Sequence, residues 1–275
     1  MLIQRIVTAG ILIPVAVAAI LYLPPNLASL LFAAFLSVGV LEWAAITGLA
    51  KQAGRIAMLL FAAFAVVIQS EFLPQELLMS IVLTAVVAWL LISSLVIRGY
   101  SRSSAVLDGK IASIAKSLAC CFIVLLGAYS SVLKLLLVDA ALLLLVFAIV
   151  WAADIGAYFV GRKFGKHKLA SRISPGKTWE GVIGGLCSST LILAVGTHWM
   201  VLSVRQQLAL LVLTLVAVSF SVFGDLFESL LKRSAGMKDS GSILPGHGGV
   251  LDRVDGLIAA LPIFTLGYFL WVAKL

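Results

Sequence analysis

The sequence predicts an all-α, polytopic integral membrane protein with about nine transmembrane helices and a cytoplasmic N-terminus. Three observations support this fold class: the composition, the length of the apolar runs and the distribution of basic residues. Of the 275 residues, 62% are hydrophobic and 12% are charged, and the mean hydropathy is +1.16. A soluble domain carries about 25% charged residues. So much apolar surface does not fit one soluble domain, whereas helices satisfy their own backbone groups in lipid.

Nine apolar runs approach the roughly 20 residues that a helix needs to cross a bilayer. Only Lys134 and Asp139 interrupt the apolar stretch that contains the fifth and sixth runs. The first run resembles a signal peptide, but no convincing small-residue cleavage pattern precedes the turn at 23–26, so we expect it to be retained. The runs cover approximately residues 6–23, 27–49, 55–73, 77–97, 117–138, 140–160, 181–201, 207–228 and 254–273.

The basic residues set the predicted orientation. With the N-terminus inside and nine alternating spans, seventeen of the 20 Lys and Arg lie inside, and only Lys134, Arg205 and Lys274 lie outside. Such asymmetry is typical of cytoplasmic loops. It also explains the net charge of +8 without nucleic acid, because no basic tract with interleaved aromatic residues occurs. The three cysteines lie in apolar runs without CxxC spacing and are interpreted as packing residues.

The predicted chain divides into two parts. Residues 1–116 form about four N-terminal membrane helices, and residues 117–275 form the C-terminal helices that carry the predicted active site. Two inside loops, 161–180 and 229–252, hold most of the polar chemistry. The segment 98–116 has basic residues but no paired acids and is interpreted as a surface connection.

Acidic residues within apolar runs point to a functional cavity, because ionised groups at membrane depth are costly. Asp154 is one example, and Asp225 and Glu228 share a helix face at a spacing of three. Asp252 and Asp255 repeat this spacing at the start of the last span. The two pairs converge if their helices pack together. Clustered carboxylates are hard oxygen ligands and predict a Mg²⁺-like ion.

Glu42 is different, because no acid or base neighbours it in the sequence. We interpret it as a carboxyl group that is hydrogen-bonded between helices for packing.

Basic and glycine residues complete the predicted site. Arg offers a bidentate fork and Lys a mobile charge, so the bases of the two loops suit several phosphates. Positive-inside bias alone explains any single Lys in 162–168. Gly246, Gly248 and Gly249 let backbone approach a ligand, yet form no Walker A loop or dinucleotide fingerprint. The sequence is compatible with three roles for His247: a proton donor, a phosphate contact or a turn residue. The bases are Lys166, Lys168, Arg172, Lys177, Lys232, Arg233 and Lys238.

These features together predict phosphoryl or nucleotidyl transfer to a lipid. A transporter also needs intramembrane acids, but no repeated half with matching broken helices is present. A lipid kinase that transfers the γ-phosphoryl group is a second alternative. A CDP-alcohol phosphotransferase is disfavoured, because Asp108-Gly109 is followed by KIAS and lacks the expected DGxxAR-type run.

The stretch SLLKRSAGMKDSGSILPGHGGVLDRVD, residues 229–255, resembles the signature of the phosphatidate cytidylyltransferase (CDP-diacylglycerol synthase) family over all 27 positions. Residues 153–181 resemble the second characteristic region of that family, with Ile155 in place of Thr and Gly176 in place of Lys. The resemblance extends over residues 140–275, whereas residues 1–139 match only as hydrophobic spans.

The resemblance implies that CTP and phosphatidic acid react to give CDP-diacylglycerol and pyrophosphate. It implies a multi-pass enzyme of the inner (plasma) membrane, a homodimer whose active site faces the cytoplasm. The implied cofactors are Mg²⁺ and a second cation such as K⁺.

The resemblance also implies roles for residues of this sequence. The implied metal ligands are Asp225, Asp252 and Asp255, with Glu228 and Asp154 beside them. The implied catalytic group comprises Asp225, Lys232, Arg233, His247, Asp252, Arg253 and Asp255. The implied substrate contacts are Ser174, Lys177, Thr178, Lys232, Arg233, Lys238, Asp239, Gly248 and Gly249.

Overall fold

The computed structural model describes residues 2–69, 74–101, 114–198, 200, 202–243 and 248–275. His247 and most of the predicted surface connection 98–116 lie outside these residues. Nine long helices occur in the described residues, and the predicted all-α polytopic class is confirmed. They are α1 Leu2–Tyr22, α2 Pro25–Ile46, α3 Lys51–Gln69, α4 Gln75–Ser101, α5 Ile114–Val138, α6 Ala140–Phe164, α7 Trp179–Thr197, α8 Val204–Ser234 and α9 Leu251–Leu270.

Eight of the described helices, α2 to α9, are long and apolar enough to cross a membrane. In α1, the described apolar stretch is the shorter segment Ile13–Tyr22. Each helix coincides with one predicted run. Many large apolar side chains on the outer faces of α3 and α4 are exposed, as in Leu59 (63%) and Leu91 (61%). Such faces suit lipid rather than water.

Local capping explains several helix ends. Asp139 separates α5 from α6, and its Oδ1 accepts a hydrogen bond from the amide of Ala141 at 2.8 Å. Ser203 and Gln206 form a reciprocal capping box at the start of α8. At its other end, α8 continues to Ser234, six residues beyond the predicted span, before Gly236 adopts a φ of +70°.

The predicted loop 161–180 contains a small antiparallel hairpin. Its strands are β1, Lys168–Ala170, and β2, Ser174–Thr178, with Lys168 opposite Thr178. Lys168 Nζ donates a hydrogen bond to the carbonyl of Pro175 at 2.8 Å. Thr178 then begins α7, because its hydroxyl accepts a hydrogen bond from the amide of Gly181 at 3.1 Å. Strands this short leave too little periodicity to be predicted from the sequence.

Small residues let α6 and α7 pack closely. A Cβ at Gly181 would lie 2.9 Å from the carbonyl oxygen of Ala157, and one at Gly185 would lie 2.9 Å from that of Ala153. Larger side chains would force these backbones apart, as in other closely packed membrane helices. The hairpin connects α6 to α7, and a Cβ at Gly161 would lie 3.0 Å from Thr178 Oγ1 at its end.

The α8 and α9 helices approach one another in the same way. A Cβ at Gly224 would lie 2.9 Å from the Cβ of Ala259, and one at Gly256 would lie 3.3 Å from the Cβ of Ser221. This crossing places Asp225, next to Gly224, at the same height along the bundle as Asp255, next to Gly256. At the core of the bundle, α5 packs against α2, α4 and α9.

Candidate active site

A polar cleft lies between α6, the hairpin, α7, α8 and the start of α9. We call it the polar cavity; its volume is about 740 Å³. Its charged lining consists of four acids and four bases, so it suits a ligand that carries several charges of its own. These residues are Asp154, Arg162, Lys168, Lys177, Asp225, Asp252, Arg253 and Asp255.

A second cavity, which we call the apolar cavity, has a volume of about 470 Å³ and lies between α1, α2, α5, α6 and α9. Its wall is mainly aliphatic and aromatic, with Phe32, Phe35, Phe147 and Trp151 among its residues. Both cavities also share four charged lining residues. The shared residues are Asp154, Asp252, Arg253 and Asp255.

Three of the four lining carboxylates come from three different helices: Asp154 from α6, Asp225 from α8 and Asp255 from α9. Asp255 interacts electrostatically with both of the others and with Glu228. The close α8–α9 crossing at Gly224 accounts for this convergence, because it brings the two helix backbones into contact beside the acids. Like charges in one cavity favour a compensating cation.

Lys177 supplies one such compensating charge. It lies in β2 and forms an ion pair with Asp225. The base of the hairpin is held separately, because His167 Nδ1 lies 2.6 Å from Glu180 Oε1 and the His167 amide donates to the same carboxylate at 3.2 Å. The hairpin is thus tied to α7 at its base and to α8 through Lys177.

Lys232 is nearly buried, with 8% of its surface exposed, and forms ion pairs with both Glu228 and Asp252. It belongs to the last turn of α8 and not to the predicted loop 229–252. Asp252 Oδ2 also accepts hydrogen bonds from the amides of Ser240 at 2.9 Å and Gly249 at 2.8 Å. Both oxygens of Asp252 are therefore engaged by the protein.

The predicted site residues fall into two groups in the described part of the chain. The first group lines the polar cavity and comprises Asp154, Ser174, Lys177, Thr178, Asp225, Asp252, Arg253 and Asp255. The second group is not part of that lining and comprises Glu228, Lys232, Arg233, Lys238, Asp239, Gly248 and Gly249.

The second group includes supports for the first. Lys232 forms buried ion pairs with both Asp252 and Glu228, and so links these two acids. Gly248 has a φ of +82°, and a Cβ there would lie 2.6 Å from Asp252 Oδ2. A side chain at position 248 would therefore be strained and would displace the carboxylate.

Sequence reasoning missed two further contributions to the site. Arg162 lines the polar cavity from the end of α6 but was attributed to no function. Glu42 is hydrogen-bonded between helices, as predicted, but the sequence did not indicate that its partners are Ser240 and the start of α9. An acid within an apolar run indicates a buried polar contact. The partners of Glu42 could not be identified in this way, because they are distant in the sequence.

The donor chemistry of the three cavity carboxylates fits a hard divalent cation. Within the described ranges, no group of three or more His, Cys, Asp or Glu side chains is already close enough together to hold a metal ion. Lys177 contacts Asp225 instead. Binding of an ion by Asp154, Asp225 and Asp255 therefore requires these carboxylates to move closer together.

The fold and the paired cavities define a multi-pass membrane protein in which a charged cleft adjoins an apolar one. The model of the cytidylyltransferase family matches residues 3–271. The chain belongs to this family, which makes it a nucleotidyltransferase.

Named relatives agree with the family match. The chain is 42% identical to a phosphatidate cytidylyltransferase of Pseudomonas aeruginosa over 275 residues, covering 99% of this chain and 98% of that protein. It is 52% identical over 131 residues to a phosphatidate cytidylyltransferase of Haemophilus influenzae, covering 46% of each chain. A third relative with the same name, from Staphylococcus saprophyticus, is 46% identical over 124 residues, which cover 45% of this chain and 47% of that protein.

Proposed function

We propose that the protein transfers the cytidylyl group of CTP to phosphatidic acid, giving CDP-diacylglycerol and pyrophosphate. The observation that carries this proposal is the shared wall of the polar and apolar cavities. One reactant is a water-soluble polyanion and the other is a lipid with an anionic head, so their reacting atoms must meet at such a boundary. The name of the Pseudomonas aeruginosa relative supports the same reaction.

In this proposal the polar cavity binds CTP. Its volume of about 740 Å³ lies in the ordinary range of ligand sites, about 300–1,000 Å³. The four lining bases offset the charge of the triphosphate, and the guanidinium groups of Arg162 and Arg253 can each bind phosphate oxygens in pairs. Ser174 and Thr178 add hydroxyl groups from the hairpin.

The apolar cavity accommodates the acyl part of phosphatidic acid. Its aromatic and aliphatic wall is as apolar as the bilayer core, so acyl chains can enter it from the membrane without exposure to water. Arg253 belongs to the lining of both cavities, so it lies where the phosphate of the lipid would meet the nucleotide. The lipid head is then directed towards the nucleotide.

In the reaction, an oxygen of the phosphatidate phosphate attacks the α-phosphorus of CTP. A new P–O bond forms, and the bond from the α-phosphorus to the oxygen that bridges to the β-phosphate breaks, which releases pyrophosphate. The nucleophile is already anionic, so no strong general base is required. The protein contributes alignment of the two reactants and positive charge that stabilises the leaving group.

We propose Mg²⁺ as the cofactor, held by Asp154, Asp225 and Asp255 once CTP is bound. A bound Mg²⁺ neutralises charge that would otherwise keep the two anionic reactants apart. Lys177, which is paired with Asp225 here, would be within reach of the nucleotide if that carboxylate held the ion. A second cation such as K⁺, which the family resemblance implies, has the same carboxylates as candidate ligands, with Glu228 and Asp252 beside them.

The proposed location is the inner membrane, with the polar cavity open to the cytoplasm. The concentration of Lys and Arg in the segments that carry this cavity supports that orientation. We also propose a homodimer, on the basis of the family resemblance. Chemical crosslinking in native membranes measures the oligomeric state, and a single band at the monomer mass contradicts the dimer.

Pyrophosphate release by purified protein in detergent tests the reaction. The complete mixture contains CTP, mixed micelles with phosphatidic acid, and Mg²⁺, and matched reactions omit one component each. We expect release only from the complete mixture, with CDP-diacylglycerol as the lipid product. Formation of CDP and a phosphorylated lipid identifies a kinase instead. Absence of turnover by folded protein overturns the proposal and favours the transporter alternative.

A further inference from the structure

Glu42 lies in α2, in the N-terminal half of the chain, for which the sequence suggested no role at the site. Its side chain is buried, with 4% of the residue exposed. The carboxylate accepts hydrogen bonds at 2.9 Å from the Ser240 hydroxyl and from the amides of Val250 and Leu251. One side chain therefore joins α2 to Ser240, which lies between α8 and α9, and to the start of α9.

The two amide contacts cap α9. The first amides of a helix have no partner within the helix, and the residue before α9, Val250, offers no capping side chain. Glu42 satisfies two of these donors from another helix, and its negative charge is favourable at a helix N-terminus. The start of α9, which carries Asp252 and Asp255, is thereby fixed relative to α2.

The hydrogen bond between the Ser240 hydroxyl and Glu42 also affects the position of Asp252. Ser240 is bound through its hydroxyl by Glu42 and donates its own amide to Asp252 Oδ2 at 2.9 Å. Asp252 Oδ1 is paired with Lys232. A continuous series of contacts thus runs from Glu42 through Ser240 to the ion pairs that support the site.

Two glycines near Ser240 and α9 adjoin this carboxylate. A Cβ at Gly241 would lie 2.6 Å from Glu42 Oε1, and one at Gly249 would lie 2.5 Å from Glu42 Oε2. Both distances are too short for a real contact, so any side chain at either position displaces Glu42. The segment is therefore fitted around the carboxylate as well as bonded to it.

We propose that Glu42 is a positioning residue for cytidylyl transfer, which orients the acids of α9 and the segment around Ser240 without touching the substrates. This inference rests on the proposed function for its catalytic consequence. Its mechanical part, the restraint by Glu42 of Ser240 and of the start of α9, is independent of the reaction.

The first test compares Glu42→Gln with the wild-type protein. Glutamine preserves the size of the side chain but replaces one acceptor oxygen by an NH₂ group, which would face N–H or O–H donors. We expect kcat per folded molecule to fall about tenfold or more, because a charge-assisted hydrogen bond is lost beside the site. The KM for CTP should change much less, because Glu42 does not line the polar cavity. Glu76→Gln, an exposed change on α4, is the matched control.

The second measurement does not depend on turnover. Lys238 is exposed, so trypsin cleavage after this residue reports how well the segment is held. We expect faster cleavage in Glu42→Gln than in wild type or Glu76→Gln, measured by mass spectrometry below the melting temperature. If kcat stays within about twofold of wild type and cleavage is unchanged, the hydrogen bonds are dispensable and the proposal is overturned.

Ser240→Ala provides the decisive comparison if Glu42→Gln does not fold. It removes only the hydroxyl contact and preserves the Ser240 amide that binds Asp252. We expect lower kcat and faster cleavage, and in a folded double variant a loss smaller than the product of the single losses. Unchanged kcat and cleavage in Ser240→Ala overturn the relay.

If wild type lacks CTP-dependent turnover, the reaction proposal fails, while cleavage still decides whether Glu42 restrains the segment.

Discussion

Lys177 in β2 and Asp225 in α8 form an ion pair across the polar cavity. This contact joins the hairpin to α8, the helix that carries Asp225 and Glu228. It also occupies a carboxylate that we propose as a metal ligand. Exchange of the Lys177–Asp225 pair for substrate and metal contacts is therefore expected when the cavity fills.

Replacement of Lys177 by Met tests this exchange. We expect kcat/KM for CTP to fall about 10- to 100-fold, because one charged phosphate contact is lost. Lys166→Met is the control, since Lys166 is exposed in the same segment and does not line the polar cavity. Equal kinetics in the two variants would show that Lys177 makes no contact with the nucleotide.

Asp255→Asn removes one charge from the group of three cavity carboxylates. We expect kcat to fall about a hundredfold or more, because charge neutralisation by a metal supplies several kcal/mol. Thermal stability should be unchanged or higher, because repulsion from Asp154 and Asp225 decreases. Electron paramagnetic resonance with Mn²⁺ measures metal binding separately, and undiminished binding by the variant would contradict the ligand assignment.

Lys232→Met should instead destabilise the fold. It leaves Glu228 and Asp252 buried without their shared counter-ion, and breaking a buried pair in this way costs about 3–5 kcal/mol. The midpoint of thermal unfolding in detergent is the measurement. Lys238→Met changes an exposed residue of the adjoining segment and should leave that midpoint unchanged. A stable Lys232→Met protein would indicate that the two acids are protonated or find other partners.

Ala28→Phe tests the apolar cavity. Ala28 is buried in α2 and lines this cavity, so a phenyl ring there competes with an acyl chain. We expect the KM for long-chain phosphatidic acid to rise about tenfold, whereas short-chain phosphatidic acid and CTP should be little affected. Leu91→Phe on an exposed face of α4 is the control. Equal effects on long and short chains would place the acyl groups elsewhere.

Hydropathy predicted the helices well, because the cost of exposed backbone in lipid makes each span a nearly continuous apolar run. It predicted the ends less well. Near the end of α8, the charged residues through Arg233 interrupt the apolar run although the helix continues to Ser234. There the side chains of Glu228 and Lys232 compensate one another, so the helix persists beyond its apolar part.

The candidate site was predictable where its residues are close in sequence. The spacing of Asp225 with Glu228 and of Asp252 with Asp255 identified two helix faces, and the structure packs their helices together. The partners of Glu42 could not be predicted, because nothing in an apolar run specifies a contact with Ser240 or the start of α9. Such contacts arise only when distant helices assemble.

The shared wall of the two cavities also sets where the products leave under the proposed function. CDP-diacylglycerol joins a nucleotide to two hydrocarbon chains, so it occupies both cavities at once and has no favourable path into water. Pyrophosphate is small and fully hydrated, and its exit is through the polar cavity. The lipid product must then slide sideways between helices into the bilayer, with its cytidine head the last part to detach. Turnover at saturating substrate is therefore expected to depend on the fluidity of the surrounding lipid.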